Sequence, residues 1–137
     1  MHTHLGYNLS AEPRTKRYLT NDEVNNYWAA YFIVTDGLSL CREKLQAQEN
    51  SANEPAGQNM YRAARLNVEA QLELMQTMRF HFNDGRAKVT PPSAELIRNL
   101  AISSAKVSGF AGDPSRLSDV IEMTTAIFTD FQKLQEL

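Results

Sequence analysis

Val24, Tyr27, Tyr31, Val34, Leu38, Cys41 and Leu45 recur at alternating spacings of three and four residues. Only a helical backbone gathers positions so spaced onto one side; in a strand the same side chains would scatter over both faces. This heptad seam constrains the chain more than any other feature, and it predicts a long amphipathic helix. Trp28 and Phe32 widen the apolar stripe to about half the circumference, more than a lone seam needs. Thr20-Asn21-Asp22-Glu23 reads as a capping box, in which the Thr20 hydroxyl and the Glu23 carboxylate each satisfy the other's backbone N–H. Gly37 falls inside the helix, at about 1 kcal/mol relative to alanine, and marks a kink or a close helix crossing. The helix is expected to fade near Gln48.

The next stretch, Glu49 to Gln58, is polar and holds Pro55 and Gly57, which reads as an inter-helix loop. A second long stripe follows through Met60, Tyr61, Ala64, Val68, Leu72, Met75, Met78 and Phe82. Asn83-Asp84-Gly85 stops it, with Gly85 suited to a left-handed backbone. Pro91 and Pro92 suit the first turn of a third helix, since proline lacks the N–H that would go unpaired there. Its stripe is Leu96, Ile97, Leu100, Ser104 and Val107, ended by Gly109. Asp113-Pro114 caps a fourth, carrying Leu117, Val120, Ile121, Thr124, Ile127, Phe128, Phe131 and Leu134. No segment of useful length alternates at period two, so no sheet is expected.

These signals predict an all-α chain: a four-helix bundle of two long and two shorter helices over residues 20–137, with an irregular N-terminal arm over 1–19. The long helices are expected to run about 27 residues each and the others about 18 and 23, so the long pair outreaches the short by roughly 10 Å at 1.5 Å per residue. The arm or a second subunit would cover the excess. The chain's 137 residues suit one domain.

Few functional classes survive the composition. The net charge of −2 argues against a surface given over to nucleic acid. The lone cysteine, Cys41, permits no internal disulfide and no thiolate cluster, and its seam position marks it as a small core hydrophobe. The longest apolar run, Trp28 to Val34, is far short of the roughly 20 residues that span a bilayer, and the N-terminus lacks the apolar stretch of a signal peptide. A cytoplasmic setting is the expectation, although a protein secreted without a cleaved signal would look the same.

No catalytic or metal pattern stands out. His2, His4 and His81 are the only histidines, and none has an acidic residue three positions before it, as a di-iron helical site requires. Glu69 with Glu73, and Asp119 with Glu122, read as solvated helix faces. Gly109 and Gly112 lack the preceding strand and the Gly-Lys-Ser/Thr of a phosphate loop. Neither a cofactor nor a metal is expected.

Two interaction surfaces remain. At 100° per residue, Ile33 and Leu40 lie opposite the seam of the first helix, and Leu66 and Phe80 lie opposite that of the second. The leading expectation is a non-enzymatic protein–protein interaction module (a helical adaptor, inhibitor or chaperone) that self-associates and presents these four residues. The alternative is a nucleic-acid-binding regulator that uses Arg14, Lys16 and Arg17 of the arm, with Arg62, Arg65 and Arg79 adding charge.

Overall fold

The computed structural model describes residues 12–136. The fold is all-α: four helices, α1 (Asn21–Ser51), α2 (Pro55–Asn83), α3 (Ala94–Phe110) and α4 (Leu117–Gln132), pack against one another. None of the described helices is long and apolar enough to cross a membrane.

The capping box forms at the start of α1. The Glu23 amide donates to the Thr20 hydroxyl at 3.1 Å, and the Thr20 amide donates to the Glu23 carboxylate at 2.9 Å. The expected loop over Glu49 to Gln58 is largely helical instead: α1 continues to Ser51 and α2 starts at Pro55, leaving Ala52 to Glu54 between them. Two causes explain the shift. Pro55 takes the first helical position, where it is well tolerated, and Glu49 is buried beneath arginines from α2. Polar residues at helix ends carry no apolar period, so their helicity leaves little trace in the sequence. The second stop is where the sequence puts it: α2 ends at Asn83, and Gly85 takes the left-handed conformation at φ 73°.

Four boundaries differ from expectation. Pro91 and Pro92 precede α3 rather than open it; Ser93 is the cap, its hydroxyl accepting from the Leu96 amide at 3.1 Å. Gly109 lies within α3, which ends one residue later. At the start of α4, Asp113 caps a 3₁₀ turn, Pro114–Arg116, that leads into the helix. That helix stops at Gln132, so Leu134 lies beyond it.

The chain beyond α4 overturns the expectation of no sheet. Two-residue strands β1 (Lys88–Val89) and β2 (Gln135–Glu136) pair antiparallel. Arg14 of the arm bridges Val89 through backbone hydrogen bonds of 2.9 and 2.8 Å. Strands this short are invisible to a periodicity argument. The described part of the arm is therefore pinned to the helices, and Lys16–Tyr18 forms a 3₁₀ turn rather than irregular chain.

The core follows the seams. Tyr27, Val34, Leu38 and Leu45 of α1 meet Val68, Met75 and Phe82 of α2, Leu100 and Val107 of α3, and Ile127 and Phe131 of α4. The Tyr27 ring stacks on Phe82 at 3.8 Å between centroids. Its hydroxyl donates to Gln135 Oε1 at 2.7 Å, and Gln135 Nε2 donates to the Met78 carbonyl at 2.6 Å. Of the two readings of Gly37, the close crossing is correct, since a Cβ there would sit 2.8 Å from Ser104 Cβ of α3. Met60 and Ile121, expected in the stripes, are exposed.

Candidate functional site: an open groove between the two first helices

α1 and α2 run antiparallel and are clamped at both ends. At one end Tyr27 and Phe82 stack; at the other the Glu49 carboxylate accepts from Arg62 at 3.0 Å and from Arg65 at 2.9 Å. Arg65 also reaches Glu69 at 3.0 Å. Both arginines hold the Glu49 carboxyl below its ordinary value, Arg65 more than Arg62. Between the clamps lies an open groove of about 610 Å³. α1 lines it with Tyr31, Phe32, Thr35, Asp36, Ser39 and Arg42, and α2 with Glu69, Leu72, Glu73, Gln76 and Arg79.

Its aromatic end continues into a second hollow formed by Trp28, Phe32, Arg79, Phe80 and Asn83. Trp28 is fixed from beneath, edge-on to Tyr27 at 5.1 Å and to Phe82 at 5.4 Å. Phe32 stacks on its other side at 5.8 Å and remains 49% exposed, while Phe80 is 57% exposed. The Arg79 guanidinium lies 5.7 Å from the Phe80 ring centroid, in cation–π range. Tryptophan and arginine are among the residue types that concentrate binding energy at protein interfaces, and phenylalanine is enriched in interface composition.

The middle of the groove is charged. Among the described residues, Asp36, Glu73, Arg42 and Arg79 make no ion pair. Tyr31, on the groove floor, has its hydroxyl pushed upward by burial, an effect that Arg79 partly offsets. The Thr35 hydroxyl in the groove donates to the Tyr31 carbonyl of its own helix at 3.1 Å. Among the described residues no three His, Cys, Asp or Glu side chains gather as a metal would require.

The four residues expected to form one apolar face are divided. Ile33 and Leu40 line a different groove, between α1 and α3, with Gly37, Ala101, Ser104, Ala105 and Ser108. Phe80 belongs to the aromatic end of the α1–α2 groove, and Leu66 is 51% exposed and lines neither. Phe32, read from the sequence as part of the buried stripe, is a surface residue. Its placement 140° from Tyr27 at 100° per residue was the one signal of that, masked by its neighbours Tyr31 and Ile33.

Arg14 donates to the Glu23 carboxylate at 2.7 Å and to the Tyr18 carbonyl at 2.9 Å, so it stitches the arm to α1. Lys16 Nζ reaches Asn83 Oδ1 at 3.3 Å and lies over the Phe82 ring. Arg17 lies over Tyr18. Arg62 and Arg65 serve Glu49. The cations named for a phosphate track thus each face a partner within the chain. Cys41 is buried, with its thiol pushed up to about 11 by desolvation. His2 and His4 lie outside the described residues. Comparison of the chain with protein families, curated proteins and solved structures finds no match.

Proposed function

We propose that this chain is a non-enzymatic protein–protein interaction module, a self-associating helical adaptor, inhibitor or chaperone, that docks through the aromatic end of the α1–α2 groove. The observation that carries the reading is the exposure of Phe32 and Phe80 around a Trp28 that the core holds rigid. Leaving two aromatic rings about half in water forgoes roughly half of the ~1.5–3 kcal/mol that full burial of each contributes, and a docked protein surface recovers it. A pre-organised tryptophan and a helix-borne patch lose little conformational entropy on binding. The four helices act as a bundle whose longer pair presents the patch, and the single buried cysteine suits a reducing, cytoplasmic setting.

The test is Phe32→Asp with Phe80→Asp. The paired variant should keep the helical circular dichroism and thermal midpoint of the wild type. It should lose self-association in sedimentation and lose proteins retained by the wild type on an affinity column, by at least the ~2 kcal/mol of a hot-spot pair. Unchanged binding, or loss of the fold, removes the aromatic end as the docking site.

A further inference from the structure

We infer that the α1–α2 groove takes an amphipathic α-helix of another protein. That helix sets an aliphatic or aromatic side chain among Trp28, Phe32 and Phe80, and a lysine or arginine between Asp36 and Glu73. This rests on the interaction-module reading and names the chemistry of its partner. The groove is longer than its aromatic end. The hollow at the rings shares Phe32 and Arg79 with the central one, which shares Arg42 and Glu69 with a third that Glu43 and Gln46 complete. From Trp28 to Gln46 the channel follows about 18 residues of α1, roughly 27 Å and the length of about five helical turns. Both walls are helices whose backbone groups are paired internally, so they offer an extended segment no strand edge to join. A helix needs none, because its own backbone is satisfied. The α1 wall is small in its middle, at Thr35 and Ser39, which lets a third helix approach, and the Thr35 hydroxyl is already bonded to the Tyr31 carbonyl.

Charge selects the helix. Tyr27 faces Phe82, and Glu49 faces Arg62 and Arg65. That antiparallel register puts Asp36 near the level of Glu73, and Arg42 near that of Glu69. The lining carries four carboxylates, Asp36, Glu43, Glu69 and Glu73, against two guanidiniums, Arg42 and Arg79. Glu69 is paired with Arg65; among the described residues the other three carboxylates make no ion pair. Asp36 lies six residues from Arg42, and Glu73 six from Arg79, each about 9 Å of helix. Asp36 and Glu73 are thus like charges on facing walls, and a cation set between them is attracted by both. The rings begin four residues from Asp36, at Phe32, and seven from Glu73, at Phe80. The apolar anchor and the basic residue of the docked helix therefore stand four or seven positions apart on one face. A helix that is apolar throughout, or acidic at that point, would desolvate the two carboxylates without answering them.

The test is to pan a phage-displayed library of helices as long as the channel, each with one face randomised, against the full chain. Retained helices should carry an aliphatic or aromatic residue and, four or seven positions away, lysine or arginine well above its frequency in the library. Aspartate and glutamate should be depleted there. That readout needs no variant of this chain. Asp36→Lys with Glu73→Lys, checked for fold by circular dichroism, should bind the retained helices about tenfold more weakly. Panned in turn, the variant should retain helices with an acid at that position. A library that yields no binder overturns the inference, as do binders without the basic bias or indifferent to the reversal. So does a wild-type dimer that the reversal weakens in sedimentation equilibrium, since a second copy then fills the groove. Binders without the basic bias that Phe32→Asp with Phe80→Asp abolishes leave the interaction module standing and remove only this occupant. Binders indifferent to that pair remove both.

Discussion

Glu23 and Glu49 each meet an arginine at hydrogen-bond distance, and in each case that contact is the largest cause of a carboxyl held below its usual 4.5. Such groups bind fewer protons folded than unfolded, so their stabilisation is complete above the unfolded value and disappears as pH falls through the folded one. Urea unfolding at a series of pH values should therefore show stability level through the neutral range and declining below about 4.5. Glu49→Gln should make that acid limb shallower as well as lower the neutral plateau. The sequence announced Glu23 through its spacing from Thr20. It gave no sign of Glu49, because the partners Arg62 and Arg65 lie across a turn that polar composition disguised as a loop.

At the scale of elements, Gly37 sets how closely α1 and α3 approach. An added methyl would lie 2.8 Å from Ser104 Cβ and 3.0 Å from its hydroxyl. The Ser104 Cβ stays in place when the side chain rotates, so rotation alone does not clear the space. Gly37→Ala should accordingly destabilise by about 1–3 kcal/mol, despite gaining about 1 kcal/mol of helix propensity. Chemical denaturation would show the net loss. Adding Ser104→Gly should recover part of it, whereas recovery of nothing would place the strain elsewhere. The crossing also explains a feature of Ser104: its hydroxyl faces the glycine and finds no hydrogen-bond partner in the described structure. Glycine in a helical stripe marked the place but left a kink and a crossing equally open, since the deciding residue lies 67 positions away in sequence.

For the whole molecule, closure depends on residues that local pattern assigns to nothing. Gln135 sits on a two-residue strand yet reaches the Tyr27 hydroxyl of α1 and the Met78 carbonyl of α2, so the chain beyond α4 fastens the two long helices together. Burial raises the Tyr27 hydroxyl above its ordinary value of 10, which favours the neutral donor. Gln135→Ala should strand that donor and cost about 1–3 kcal/mol. A lowered thermal midpoint with unchanged helix content would be the signature. Gln135→Glu, which keeps an acceptor but adds a buried charge, should be no better.

The sequence by itself determined that the chain is helical, where α1 begins and α2 ends, and that Tyr27, Leu38, Met75 and Phe131 belong inside. These follow from the 3.6-residue period and from caps, which act over a few neighbouring positions. Tertiary structure decided the rest: the continuation of α1 through Glu49, the pairing of Arg14 with Val89 and of Val89 with Gln135, the seating of Gln135, and the exposure of Phe32. Each of these depends on which helix faces which, and at what rotation. Whether an apolar side chain at the edge of a stripe is buried is settled by how far the neighbouring helix reaches over it, and a one-dimensional pattern does not contain that distance.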